Sequence, residues 1–267
     1  MTGPPRLFSG GARRRLGCGS YPCVMPLVDA VGSADPAVPP PVVAADLEGT
    51  CTAGETWRGV GRWLAANGRH GRYRRFLAPR LAALPLVRVG LVSRRDFRNR
   101  WIRDLARLLD GLTTAELDAL SAEVVETELW PKRRPAVIAE LESAAAGGAR
   151  VVIATGTYDP VLAAFVSRLP GGPAGPVVGL GTPLEMRAGR TTGRLAGPVG
   201  TGEPKVARVR AFAAGAPILG AYGDSLADVP LLEAAESPVA VAPDAELRPL
   251  ASARGWRILD APAGETQ

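Results

Sequence analysis

The chain has 267 residues, 46% of them apolar and 22% charged, with a net charge of +6 and a pI near 9.8. This is the composition of a globular protein able to bury a sizeable core. No apolar run reaches the roughly 20 residues of a membrane-spanning helix, and the arginines come without a nucleic-acid recognition motif, so neither a membrane nor a nucleic acid is the expected partner.

Residues 1–40 are rich in Gly, Pro, Arg and Ala without periodicity and are predicted to be a disordered extension, with Met25 as a rival start. The run Arg13–Gly17 lacks the apolar segment an export signal needs, and Cys18, Cys23 and Cys51 make no metal-ligand pattern. The expected protein is therefore cytoplasmic, with reduced thiols.

From Val42 the pattern becomes regular. Val42–Ala45 is a short apolar run that fits a parallel strand covered on both faces. Helical stretches follow at Glu55–Ala66, Arg94–Leu109 and Thr114–Glu126, the last opened by a Thr113/Glu116 capping box. The arginine-rich runs around Arg69–Phe76 and Arg94–Arg103 read as solvated helix faces with their aromatics turned inward. The block 55–131 is too long for a strand-to-helix connection and is predicted to be an inserted helical cap. Lys132–Ala146 then returns the chain to the sheet as a further helix.

Apolar runs recur at Val151–Ala154, Val177–Leu180, Ile218–Ala221, Val239–Val241 and Trp256–Leu259. Between them lie helix-length segments at Pro160–Leu169, Lys205–Ala213, Leu226–Ala235 and Ala245–Arg254, and a hairpin at Pro183–Gly197 turning around Ala188–Arg190. The fold class is α/β, a doubly wound parallel sheet with an inserted α-helical cap. The expected divisions are a core of 41–54 and 132–260, the cap at 55–131 and a tail at 261–267.

Ligands of open α/β sheets bind at the carboxyl ends of the strands. Those ends carry Asp46 and Glu48, then Thr155, Gly156 and Thr157, then Asp224, Ser225 and Asp228, while Lys205 opens a helix. Acids from two strands suit a hard cation such as Mg²⁺, and the Thr155 hydroxyl with the Lys205 ammonium suits a phosphoryl group. An Asp in that setting is a competent nucleophile for phosphoryl transfer.

The stretches "DLEGT", "VVIATGT", "PKVAR" and "GDSLADVPLL" resemble, in order, the four motifs of the haloacid-dehalogenase superfamily. Their spacing is similar to the phosphoserine-phosphatase-like branch with a helical cap. The resemblance implies Asp46 as nucleophile and Mg²⁺ ligand, with the Glu48 carbonyl, Asp224 and Asp228 completing or supporting the metal site. It implies that Thr155 and the Gly156 amide bind phosphoryl oxygens, that Lys205 neutralises charge, and that Glu55 contacts substrate. Arg103, with Arg107 as a neighbour, is the candidate for a substrate-contacting arginine of the cap. Glu48 stands where the family's phosphatases usually carry an Asp acid/base, and Ala227 where phosphoserine phosphatases commonly carry an Asn. The implied activity is Mg²⁺-dependent hydrolysis of a small phosphorylated metabolite through an aspartyl-phosphate. The alternatives are transfer to an acceptor alcohol, of phosphoserine:homoserine type, and phosphate binding without turnover.

Overall fold

The structure is a computed structural model that describes residues 39–170, 172 and 175–262. The expectations for the leader before residue 39 and for the tail after residue 262 fall outside the described residues.

Strand β1 (Val42–Ala45) opens the sheet, and α1 (Thr56–Ala66), α2 (His70–Arg88), α3 (Arg94–Ala106), α4 (Thr114–Val124) and α5 (Pro135–Ala146) precede β2 (Arg150–Tyr158). Then come α6 (Asp159–Val166), β3 (Val177–Thr182), the hairpin β4 (Leu184–Arg187) and β5 (Arg190–Leu195), and α7 (Glu203–Ala213). The chain closes with β6 (Ile218–Gly223), α8 (Val229–Glu233), β7 (Ser237–Val241), α9 (Leu247–Ala253) and β8 (Arg257–Leu259). Six strands pair in the order β3-β2-β1-β6-β7-β8, every pair parallel. Winding runs outward in both directions from β1 and β6, so the switch point lies between these two central strands.

Alternation along the strands divides the core. Val42, Ala44, Val152 and Ala154 pack with Val209 of α7 and Leu231 of α8. Val43, Ala45, Val151 and Ile153 pack on the other face with Leu141 of α5 and Phe165 of α6. Each central strand is apolar on both sides because helices cover both sides.

Helices α1 to α3 meet through aromatics. Trp101 lies 5.5 Å from Trp57, 5.4 Å from Phe76 and 5.7 Å from Phe97 by ring centroids. Helix α2 has no counterpart among the predicted helices, because Pro79 and Pro85 interrupt a sequence whose helical period is faint. Packing of Phe76 and Val87 supplies what its pattern lacks. Helix α5 begins at Pro135 rather than Lys132, as proline at a first helical position favours. The segment predicted as one helix over Leu226–Ala235 is a tight turn at Leu226–Asp228 followed by α8. At the hairpin tip Ala188 and Gly189 both take positive φ, 48° and 72°, as a two-residue turn between right-twisted strands requires.

The end of α4 widens into a π-turn at Val125–Leu129, which carries the buried Glu128. Its carboxylate accepts hydrogen bonds from Arg62 Nη2 at 2.6 Å, from Lys132 Nζ, and from the Glu55 amide at 3.3 Å. Gly54 makes this approach possible, since a Cβ there would lie 2.3 Å from the Glu128 carbonyl oxygen. The start of α1 is thus tied to the end of α4. Glu128→Ala removes the acceptor of that amide and of Lys132, leaves Arg62 only the Thr127 oxygens, and is expected to lower stability by about 1–3 kcal/mol in urea unfolding. Glu128→Gln, which keeps one acceptor oxygen, is expected to lose less.

Candidate active site

The last residue of β1 hands the chain to Asp46, whose amide is bound by the Tyr222 carbonyl of β6 at 3.0 Å. Its side chain is thereby held at the switch point. Lys205, in the first turn of α7, donates from Nζ to Asp46 Oδ1 and to Asp228 Oδ1, each at 2.6 Å. Asp228 Oδ2 accepts from the Ser225 hydroxyl at 3.1 Å and from the amides of Ser225 and Asp224. Asp224 Oδ1 accepts from Thr50 Oγ1 at 3.2 Å. One carboxylate oxygen each of Asp46, Asp224 and Asp228 lie within 4.8 Å of one another.

Three acids therefore share one buried cation. Burial pushes the Asp46 carboxyl up to about 7, against the pull of Lys205. Burial and then the neighbouring Asp228 and Asp46 hold Asp224 well above the carboxylate range. Lys205 is raised from its ordinary value because Asp228 and Asp46 together outweigh its desolvation. Oδ2 of Asp46 and of Asp224 has no hydrogen-bond partner among the described residues, whereas both oxygens of Asp228 are engaged. Asp46 and Asp224 are the pair best placed to hold a divalent cation, with Asp228 orienting Lys205. Gly49 (φ 90°) passes so close that a Cβ would sit 2.1 Å from Asp224 Oδ2.

Glu48 turns to the helical side. Its Oε1 accepts the Thr56 amide, the first of α1, at 2.6 Å. The Thr56 and Thr157 hydroxyls lie 3.2 Å apart, close to the same carboxyl. Burial nevertheless raises Glu48 above its ordinary value. Thr155, also buried, accepts the Thr157 amide on its hydroxyl at 3.2 Å.

The three aspartates, Lys205, Glu48, Thr56, Thr155 and Thr157 face one cavity of about 600 Å³, together with Glu55 and Gly156. Glu55 spends its carboxylate on Arg58, one turn further along α1. Arg103 is the exception. It points to a separate depression behind α3 with Pro79 and Asp104, because it lies five positions from Arg98, more than one helical turn and on a different face. Arg107 is exposed and pairs with Asp104. From α3 it is Arg98 that enters the cavity with Thr56, both passed over by the sequence reading, which names Thr157 at the strand end but gives it no role. Arg98 shares a face with Trp101 and Ile102, three and four positions on, and that is the face α3 turns to the cavity. Cys51 is buried beside the acids with its thiol pushed far up by desolvation, which makes it inert packing.

Fold and site together define a doubly wound α/β enzyme with a helical cap over an acid-rich switch point. Residues 43–233 match the family described as haloacid dehalogenase-like hydrolase. Phosphoserine phosphatase SerB1 of Mycobacterium tuberculosis is 32% identical over 250 residues, covering 90% of this chain and 78% of that protein. A solved structure from Bordetella pertussis Tohama I, of a protein of unknown function, superposes with a TM-score of 0.68 at 27% identity, covering 83% of this chain and 99% of that one. A phospho-aspartyl intermediate analogue of phosphoserine phosphatase shares the fold at a TM-score of 0.57 and 14% identity, covering 84% of this chain and 95% of that one. The chain belongs to the haloacid dehalogenase-like hydrolase family, in its phosphoserine-phosphatase-like branch.

The raised carboxyls give a pH signature. A folded Asp46 that holds its proton up to about 7, against an ordinary 3.8, binds more protons than the unfolded chain between those values. Its contribution is fully present below the lower value and is lost as pH rises through the upper one. In metal-stripped protein the Tm is expected to fall by roughly 3–8 °C from about pH 5 to about pH 7.5. Asp46→Asn should flatten that slope in a thermal-shift series.

Proposed function

We propose that the protein is a phosphomonoesterase in which Asp46 is the nucleophile and Glu48 the acid and base. The observation that carries this reading is the buried Asp46–Lys205–Asp228 chain, which points a carboxylate with one free oxygen into a cavity that also holds Thr155 and Glu48. The relationship to phosphoserine phosphatase SerB1 supports the class of reaction.

In the first step an Asp46 oxygen attacks phosphorus, the bond from phosphorus to the substrate oxygen breaks, and Glu48 gives that oxygen its proton. The alcohol leaves and an aspartyl-phosphate remains. In the second step Glu48, now ionised, takes a proton from water as the water oxygen attacks phosphorus. Inorganic phosphate departs and Asp46 is restored. Glu48 suits both halves, because burial keeps it protonated more readily than a surface Glu while the Thr56 amide holds the ionised form in place.

Lys205 meets the charge on Asp46 and on the phosphoryl group, and the Thr155 hydroxyl with the Gly156 amide binds phosphoryl oxygens. The free oxygens of Asp46 and Asp224 fit Mg²⁺, which takes one or two carboxylates with waters and substrate oxygens. When bound, Mg²⁺ supplies the positive charge that keeps these acids ionised and balances the phosphate.

Asp46→Asn is expected to lower turnover of p-nitrophenyl phosphate with Mg²⁺ by more than about 10³-fold, and retained activity would sink the mechanism. Glu48→Gln is expected to lower kcat roughly 10²–10⁴-fold, with phosphorylated protein accumulating when the leaving group needs no proton. Chelation with EDTA should stop turnover, and added Mg²⁺ should restore it.

A further inference from the structure

We propose that the substrate carries its phosphate on an apolar body, an amphiphilic alkyl or aryl phosphomonoester, and that the helical cap seats that body. The inference rests on the phosphatase reading and adds the class of leaving group. The cavity, at about 600 Å³, lies in the range of roughly 300–1,000 Å³ found for clefts that hold drug-sized ligands. A phosphate on a short polar chain fills only its floor.

Charged and hydroxyl groups gather on that floor. The walls are Trp57 from α1, Leu81 and Leu84 from α2, and Phe97, Trp101 and Ile102 from α3. The ring contacts of Trp101 with Trp57, Phe76 and Phe97 make this wall rigid. Polar groups able to read a small polar leaving group are few or engaged. Glu55 is paired with Arg58, and Ala227 offers a methyl. Arg98 stands in the cavity without an acid partner among the described residues, where it favours an anionic ligand.

Apolar side chains also stand exposed along the same segment. Leu81 lines the cavity and is 46% exposed, and Leu86, Val89 and Leu91 are 45%, 69% and 75% exposed through the end of α2 and the turn beyond. Charge is segregated to the same segment. Residues 69–107 hold twelve arginines against two aspartates, a net +10, while the rest of the chain holds twenty basic against twenty-four acidic residues, a net −4. Arg74, Arg75, Arg95 and Arg100 are exposed. Exposed leucines set among arginines match the interface of an anionic amphiphile. The cavity and the exposed face of the same segment therefore select the same chemistry, an anionic head on an apolar tail.

The test is turnover by the purified full chain with Mg²⁺ of methyl, butyl and octyl phosphate beside phosphoserine. The expected result is a kcat/KM that rises roughly twofold or more per added methylene, so that octyl phosphate exceeds methyl phosphate and phosphoserine by about 100-fold. Leu81→Glu, at a solvent-exposed position, should reduce the octyl-to-methyl ratio about tenfold or more. A second arm offers a long-chain lipid monophosphate in phosphatidylcholine vesicles with and without phosphatidylglycerol. Faster turnover with phosphatidylglycerol assigns the source to an anionic bilayer, and turnover of octyl phosphate alone assigns it to free amphiphiles; either supports the inference. Equal turnover across chain lengths, or preference for phosphoserine, overturns it while leaving the phosphatase reading intact. No turnover of any phosphomonoester overturns both.

Discussion

The structure depends on an unbalanced charge. Asp46, Asp224 and Asp228 converge at the switch point with Lys205 as the cation bonded to two of them. Buried acids in excess of their counter-charge raise one another's proton affinity, and the folded chain must tolerate this in order to keep a site for a cation or a phosphate. Much of the local backbone follows from it. Gly49 gives Asp224 room, the turn at Leu226–Asp228 brings Asp228 back under Lys205, and Pro204 helps α7 begin two residues before that lysine. The Ser225 hydroxyl and the amides of Asp224 and Ser225 on Asp228 compensate part of the burial cost.

The helical cap is coupled to this cluster through one helix terminus. The first two amides at the start of α1 go to different acids, Glu55 N to Glu128 and Thr56 N to Glu48. Helix N-termini present free amides and a positive dipole end, so both carboxylates are favoured there. A shift of α1 would move the donors of Glu48 as well as Trp57 on the cavity wall. Closure over a substrate and readiness of the proposed acid are thereby linked by geometry.

The sheet, its two packing faces and the strand-end acids were legible because each has a short-range signal. Four-residue apolar runs such as Val42–Ala45 read as buried strands, and an acid directly after one marks the crevice end. The hairpin was legible from Ala188 and Gly189 in the same way. Helix α2 was not, because prolines and arginines mask its period and tertiary packing of Phe76 holds it. Arg103 illustrates a different limit. A run with arginines at 94, 95, 98, 100 and 103 offers several faces, and only the orientation of α3 against α1 and α2 decides which arginine faces inward.

Glu48 shows why a substitution of one methylene can be absorbed. A longer acid needs its donor further from the strand, and here the Thr56 amide in the first turn of α1 supplies it rather than the loop of Asp46 itself. The reach of Glu48 is thus matched to the position of the cap. The same helix supplies Glu55, Trp57 and Arg58, so the identity of the acid and the shape of the chamber are set by one element. In the proposed reaction the core would set where phosphorus sits, and α1 would set both how its leaving group is protonated and what that leaving group touches.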